Sequence, residues 1–110
     1  MSDERSGARP TPSAALSSEG GRTVLVLSGE LDISTVGALK PTLAELGNQA
    51  PQQLIVDLTA VTFMDSSGIA LLLEIAELVP GTQLRNPSPL IRQVIEMTGL
   101  TDALPTADDR

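Results

Sequence analysis

Apolar residues fall along this chain in short blocks whose period changes from one block to the next. RTVLVLSGEL, Arg22 to Leu31, has an unbroken apolar run from Val24 to Leu27, as expected for a strand covered on both faces. STVGALKPTLAEL then shifts to helical spacing, with Val36, Leu39, Leu43 and Leu46 recurring and Ser34 or Thr35 able to cap the start. Pro41 lies inside this pattern and predicts a kink or an irregular first turn, because it lacks a backbone N–H. QQLIVDL, Gln52 to Leu58, reads as a second buried strand. A helix follows from Ser66 or Ser67 to Val79 and is stopped by Pro80-Gly81. Its spacing points Ile69, Leu72, Leu73, Ala76 and Val79 at the core, while Leu71, Ile75 and Leu78 widen the apolar band. TQLRN, from Thr82, is a weak strand. PLIRQVIEMTGL is a third helix, with Leu90, Ile91, Val94, Ile95 and Met97 as its apolar set and Gly99 as its stop. Ala14 to Leu16 has the look of a short edge strand.

Strands alternating with helices imply parallel pairing through helical crossovers. The expected architecture is α/β: a small mixed sheet of four to five strands, with three or more helices packed mainly on one face. An N-terminal hairpin supplies the antiparallel part. The domain is placed at residues 14–104. Residues 1–13 and 105–110 are polar and read as flexible tails, since they offer little apolar surface to offset the entropy of ordering.

Composition narrows the function. The 110 residues suit one domain with one modest core. Phe63 is the only aromatic residue and the net charge is −7, so base stacking and phosphate-backbone binding are disfavoured and no nucleic-acid partner is expected. Neither histidine nor cysteine is present. That removes the Ser-His pairing, the thiolate nucleophile and the commonest transition-metal ligands, so no enzyme activity, cofactor or metal is expected. No run of apolar residues is long enough to span a bilayer, and the N-terminus has no apolar signal core. A cytoplasmic protein without direct membrane insertion is the expectation.

Two polar clusters stand where strands give way to helices. GELD, Gly29 to Asp32, reads first as a turn, with Asp bonding to nearby amides. DSSG, Asp65 to Gly68, reads either as an N-cap or as an exposed chemical handle. A hydrolase would need a base for Ser66 or Ser67, and nothing in the sequence places Lys40, the only lysine, beside either. A phosphate-binding GxxxxGK loop is absent. What remains is a serine acted on by another enzyme. Phosphate at a helix start is tolerated by the free amides there, while Asp32 and Asp65 would repel it and leave a strongly negative surface spot.

Three blocks carry a resemblance. VLVLSGELDISTVGALKPTL, LIVDLTAVTFMDSSGIALLL and PSPLIRQVIEMTGL, in this order, resemble the STAS-domain anti-sigma factor antagonists of bacteria. The similarity runs from Arg22 to Leu104, and the FMDSSG block is its most specific part. It implies a STAS fold and partner switching. The unphosphorylated antagonist binds an anti-sigma factor that is also a serine kinase, a sigma factor is released, phosphorylation reverses the binding, and a serine phosphatase resets the system. Carried over, the phosphoacceptor falls on Ser67. Partner-binding positions fall on Asp32, Ile33, Ser34 and Thr35 and on Asp65, Ser66, Ser67, Gly68 and Ile69. The segment between the second helix and NPSP is shorter than the family pattern, which leaves the length of the Thr82–Asn86 strand open. Other roles for such domains are regulation of a membrane transporter in trans and sensing of a small ligand or nucleotide.

Overall fold

The computed structural model describes residues 12–107. Four strands, β1 (Ser13–Glu19), β2 (Arg22–Leu31), β3 (Leu54–Met64) and β4 (Thr82–Arg85), form one sheet in the order β1-β2-β3-β4. β1 and β2 are antiparallel, while β3 and β4 run parallel to β2, so the sheet is mixed as expected. Three helices join and follow the parallel strands: α1 (Lys40–Gln49), α2 (Ser66–Leu78) and α3 (Pro89–Met97). Most of the expected tail at residues 1–13 lies outside the described residues; Ser13 opens β1.

β1 is longer than the Ala14–Leu16 segment expected. Ala14 and Leu16 stand opposite Leu27 and Leu25 and pack against the core, and the ladder then continues through polar Ser17, Ser18 and Glu19. Backbone pairing supports this extension without apolar side chains, because Gly20 and Gly21 close a tight two-residue turn at φ 54 and 83.

β3 also runs past its predicted end, from Leu58 on to Met64. In its second half only every third residue is buried, Val61 and Met64, with Thr62 and Phe63 outward between them, and it stays paired to β2 after β4 has stopped. Two register shifts, between Val26 and Ser28 and between Gly29 and Glu30, let the longer strand follow its neighbour. Gly29 sits at φ 89 at the second of these. The extension carries the strand directly into Asp65.

Pro41 has the effect its chemistry predicts. Residues Val36–Leu39 form a single 3-10 turn, in which the Lys40 amide bonds to the Gly37 carbonyl, and the regular α1 begins only at Lys40 with Pro41 in its first turn. One apolar core joins Leu25, Leu27 and Leu31 of β2, Leu54, Val56 and Leu58 of β3 and Leu84 of β4 to Leu43 and Leu46 of α1, Leu71, Leu72 and Ile75 of α2 and Ile91 and Ile95 of α3. These strand residues share one sheet face, which the helices cover. On the other face Arg85 pairs with Asp57 of β3 at 3.0 Å and with Glu19 of β1 at 3.0 Å.

Three predicted details are corrected. α2 is rotated from the expected setting: Leu71 and Ile75 are fully buried, whereas Leu73 and Ala76 are half-buried. In α3, Leu90 and Met97 face outward, at 58% and 77% exposure, because only Ile91 and Ile95 fit the stripe over the sheet. Residues 105–107, read as part of a tail, hydrogen-bond to β4: the Leu84 amide donates to the Pro105 carbonyl and the Ala107 amide to the Leu84 carbonyl.

Candidate functional site

The ends of β2 and β3 come together at one pole of the molecule. Leu31 and Met64 are paired, and the Asp65 amide donates to the Leu31 carbonyl at 3.2 Å. The two polar clusters of the sequence thus become neighbours, one leaving β2 and the other leaving β3.

The first is a tight turn organised by Asp32 and Thr35, both buried. Asp32 Oδ1 accepts from the Ser34 amide at 3.0 Å and from the Ser34 hydroxyl at 2.8 Å. Thr35 Oγ1 accepts from the Asp32 amide at 2.9 Å and donates to the Glu30 carbonyl at 2.5 Å. The Asp32 carbonyl receives the Thr35 and Val36 amides, both at 3.0 Å. Thr35 was expected to be a helix-capping candidate through its side chain; here its hydroxyl instead ties the turn back to β2. Between the two buried residues, Ile33 projects outward at 79% exposure.

The second cluster starts α2. Asp65 is the N-cap, its Oδ1 accepting from the Ser67 amide at 2.8 Å, and its carbonyl receives the Gly68 and Ile69 amides. The cap is therefore Asp65 alone, and Ser66 and Ser67 are the first two helical residues. Neither serine hydroxyl has a hydrogen-bond partner among the described residues. Ser66 is exposed and Ser67 half-buried. Gly68 is required by close approach: a Cβ there would lie 2.4 Å from Met64 Cγ and 2.7 Å from the Leu31 carbonyl oxygen. Gly68 and Ile69 are buried, so their part in the site is to seat α2 against β2.

One residue that the sequence reading left unplaced belongs here. Ser67 borders a shallow depression of about 210 Å³, lined also by Val36, Lys40, Ala70, Leu71 and Glu74. Lys40 Nζ lies 2.9 Å from Glu74 Oε1 across it. The position of Lys40 depends on the 3-10 turn that Pro41 enforces, and no sequence spacing announces that. Among the described residues, no group of three or more acidic side chains is arranged to hold a metal ion. Nor is any helix there long and apolar enough to cross a membrane.

Residues 14–106 match the family model described as "Mlab, STAS domain". An anti-sigma F factor antagonist of Lysinibacillus sphaericus is 35% identical over 82 residues, covering 70% of this chain and 70% of its own length. The anti-sigma-F factor antagonist RsfB of Mycobacterium tuberculosis is 37% identical over 57 residues, covering 52% of this chain; the match spans about half of that relative, 47%. Among solved structures, an anti-sigma factor antagonist from Mycobacterium paratuberculosis superimposes with a TM-score of 0.79 at 28% identity, over 89% of this chain and 86% of that one. The Bacillus cell fate determinant SpoIIAA in its phosphorylated form does so with a TM-score of 0.63 at 29% identity, over 88% and 93%.

Proposed function

The chain belongs to the STAS family, and on that premise we propose that it is an anti-sigma factor antagonist whose hold on its partner is set by phosphorylation of Ser67. Its relatives of similar length and fold carry the antagonist name, and one of them is a protein with a phosphorylated form. The observation that carries the reading to a residue is the state of the polar groups at this pole. Asp32, Ser34, Thr35 and Asp65 all have their side chains engaged in local hydrogen bonds, whereas the Ser67 hydroxyl is uncommitted, half-buried and at the edge of a depression.

In the unphosphorylated state the Asp32–Thr35 turn and the first turn of α2 form the contact surface. Ile33 supplies an apolar projection and Ser66 and Ser67 a neutral polar one. The partner is an anti-sigma factor with serine kinase activity, and its capture frees a sigma factor for transcription. The kinase transfers a phosphoryl group from ATP to Ser67 Oγ. The product carries about −1.5 to −2 charge where a small neutral hydroxyl stood, next to the Asp65 and Asp32 carboxylates. Repulsion and the cost of desolvating that charge expel the partner, while the fold, whose cap bonds use the backbone and Asp65, is kept. A serine phosphatase restores the neutral surface. The chain acts in the cytoplasm as a regulatory binding protein and contributes no catalysis of its own.

The test is to capture the kinase from host lysate on the unphosphorylated protein, add ATP, and map phosphate by mass spectrometry. One phosphate is expected, at Ser67, with loss of the complex; Ser67→Ala should bind and stay unmodified. Phosphate at another residue, or normal modification of Ser67→Ala, overturns the assignment.

A further inference from the structure

The depression beside Ser67 contains an ion pair that the switch described above does not use. Ser67, Ala70, Leu71 and Glu74 lie on one face of α2, and Lys40 reaches that face from the start of α1. Lys40 Nζ and Glu74 Oε1 are 2.9 Å apart, with the two side chains 54% and 47% exposed. Lys40 is the only lysine in the chain. Among the described residues, the charged groups lining the depression are Lys40 and Glu74, and the adjoining pole carries the carboxylates of Glu30, Asp32 and Asp65; of these five, only Lys40 is a cation.

We propose that the Lys40–Glu74 pair is a phosphate-responsive latch: phosphate on Ser67 draws the Lys40 ammonium away from Glu74 and onto itself, so that modification also changes the surface between α1 and α2. This rests on Ser67 being the modified residue. Glu74 is two helical turns from Ser67, about 10 Å along the axis at about 1.5 Å per residue. Lys40 spans this region on a flexible four-carbon stem whose compact charge re-aims readily. An exposed ion pair of this kind is weak and exchanges easily. A phosphate with roughly twice the charge of a carboxylate, and three acceptor oxygens, competes with Glu74 for the ammonium once the lysine stem swings toward Ser67. No bond is made or broken in the exchange; one ion pair replaces another. Two consequences follow. Part of the phosphate charge is neutralised within the antagonist. Glu74, released, adds a carboxylate to the exposed side of α2 two turns beyond the modified residue, extending the negative patch presented to the partner.

The test uses full-length protein with phosphoserine installed at position 67 during translation, so that it needs no kinase. The phosphate is titrated by phosphorus NMR in the otherwise unchanged chain, in Lys40→Met and in Lys40→Arg. The nearby ammonium favours the dianion, so the second pKa of the phosphate, ordinarily about 6, should be lower in the unchanged chain than in Lys40→Met by about half a unit. Lys40→Arg should restore the lower value. Selective carbon-13 lysine labelling gives one side-chain signal, and that signal should move on phosphorylation and stay put when Glu74→Gln alone is introduced into the phosphorylated chain. Identical phosphate titrations in all three chains, with an unmoved lysine signal, overturn the latch. That result would leave partner switching intact, just as failure of a kinase to modify Ser67 would leave the titration result intact.

Discussion

At Gly68 the whole site depends on the absence of one methyl group. The start of α2 passes so close to Met64 and Leu31 that a Cβ would lie 2.7 Å from the Leu31 carbonyl oxygen, which is backbone and cannot swing aside. Gly68→Ala should therefore lower unfolding stability by about 1–3 kcal/mol, read as a shift in urea midpoint, and should displace the helix that carries Ser67. Thr35 is the second such residue. Its hydroxyl satisfies the buried Asp32 amide and the Glu30 carbonyl together. Thr35→Val keeps the shape but strands both, at a cost of about 1–2 kcal/mol, whereas Thr35→Ser should lie close to the parent in the same denaturation assay. The sequence already singled out GELD and DSSG as polar clusters at strand ends. It did not tell that Asp65 alone would be the cap, since three successive cap-competent side chains look alike until the end of β3 is known. Lys40 was illegible, because its neighbourhood is set by an irregular turn and by a helix far along the chain.

Among the elements, those with a buried apolar period were read best. β2 has the predicted bounds, and α1 starts where Pro41 dictates. β3 was cut short because its second half lacks both a continuous apolar run and a period of two, while backbone pairing to β2 carries on. The same holds for the polar half of β1. The α2 cap is testable by itself: Asp65→Ala removes the acceptor for the Ser67 amide and should cost about 1 kcal/mol by thermal or urea unfolding. A second prediction concerns β4, a four-residue strand that Arg85 ties to Asp57 of adjacent β3 and to Glu19 of β1. Burial pushes the Asp57 carboxyl up, but hydrogen bonds from the Thr59 hydroxyl and amide and from Arg85, with the Arg85 charge, outweigh it and hold the carboxyl below its ordinary value. Glu19 is lowered chiefly by its hydrogen bond from Arg85 and by that charge. Carboxyls depressed in this way stabilise the fold fully above the ordinary carboxylate range of about pH 4, and their contribution is lost as pH falls through the lowered folded values. The urea midpoint of Arg85→Met should thus lie below that of the parent at neutral pH, and the gap should close on acidification toward pH 3.

At the scale of the molecule, the sheet presents one turn and one helix start side by side at one pole. The parallel connections bring the ends of β2 and β3 side by side, and so bring together the Asp32–Thr35 turn and the Asp65–Ile69 helix start, which lie far apart in sequence. A mixed sheet of four to five strands was legible from the alternation of periods and the N-terminal hairpin, and the structure has four. The convergence of the two clusters was legible only through the parallel order it implied. On the proposed switch, a single phosphate on Ser67 acts through surface charge and leaves the fold as it is. The most direct measurement is the affinity of the captured anti-sigma factor for this chain with serine and with phosphoserine at position 67, by calorimetry under identical salt and pH. A loss of about 100-fold or more on phosphorylation, equal to about 2.7 kcal/mol, with unaltered circular dichroism, is the predicted result. Equal affinity of the two forms would contradict the claim that Ser67 is the switch.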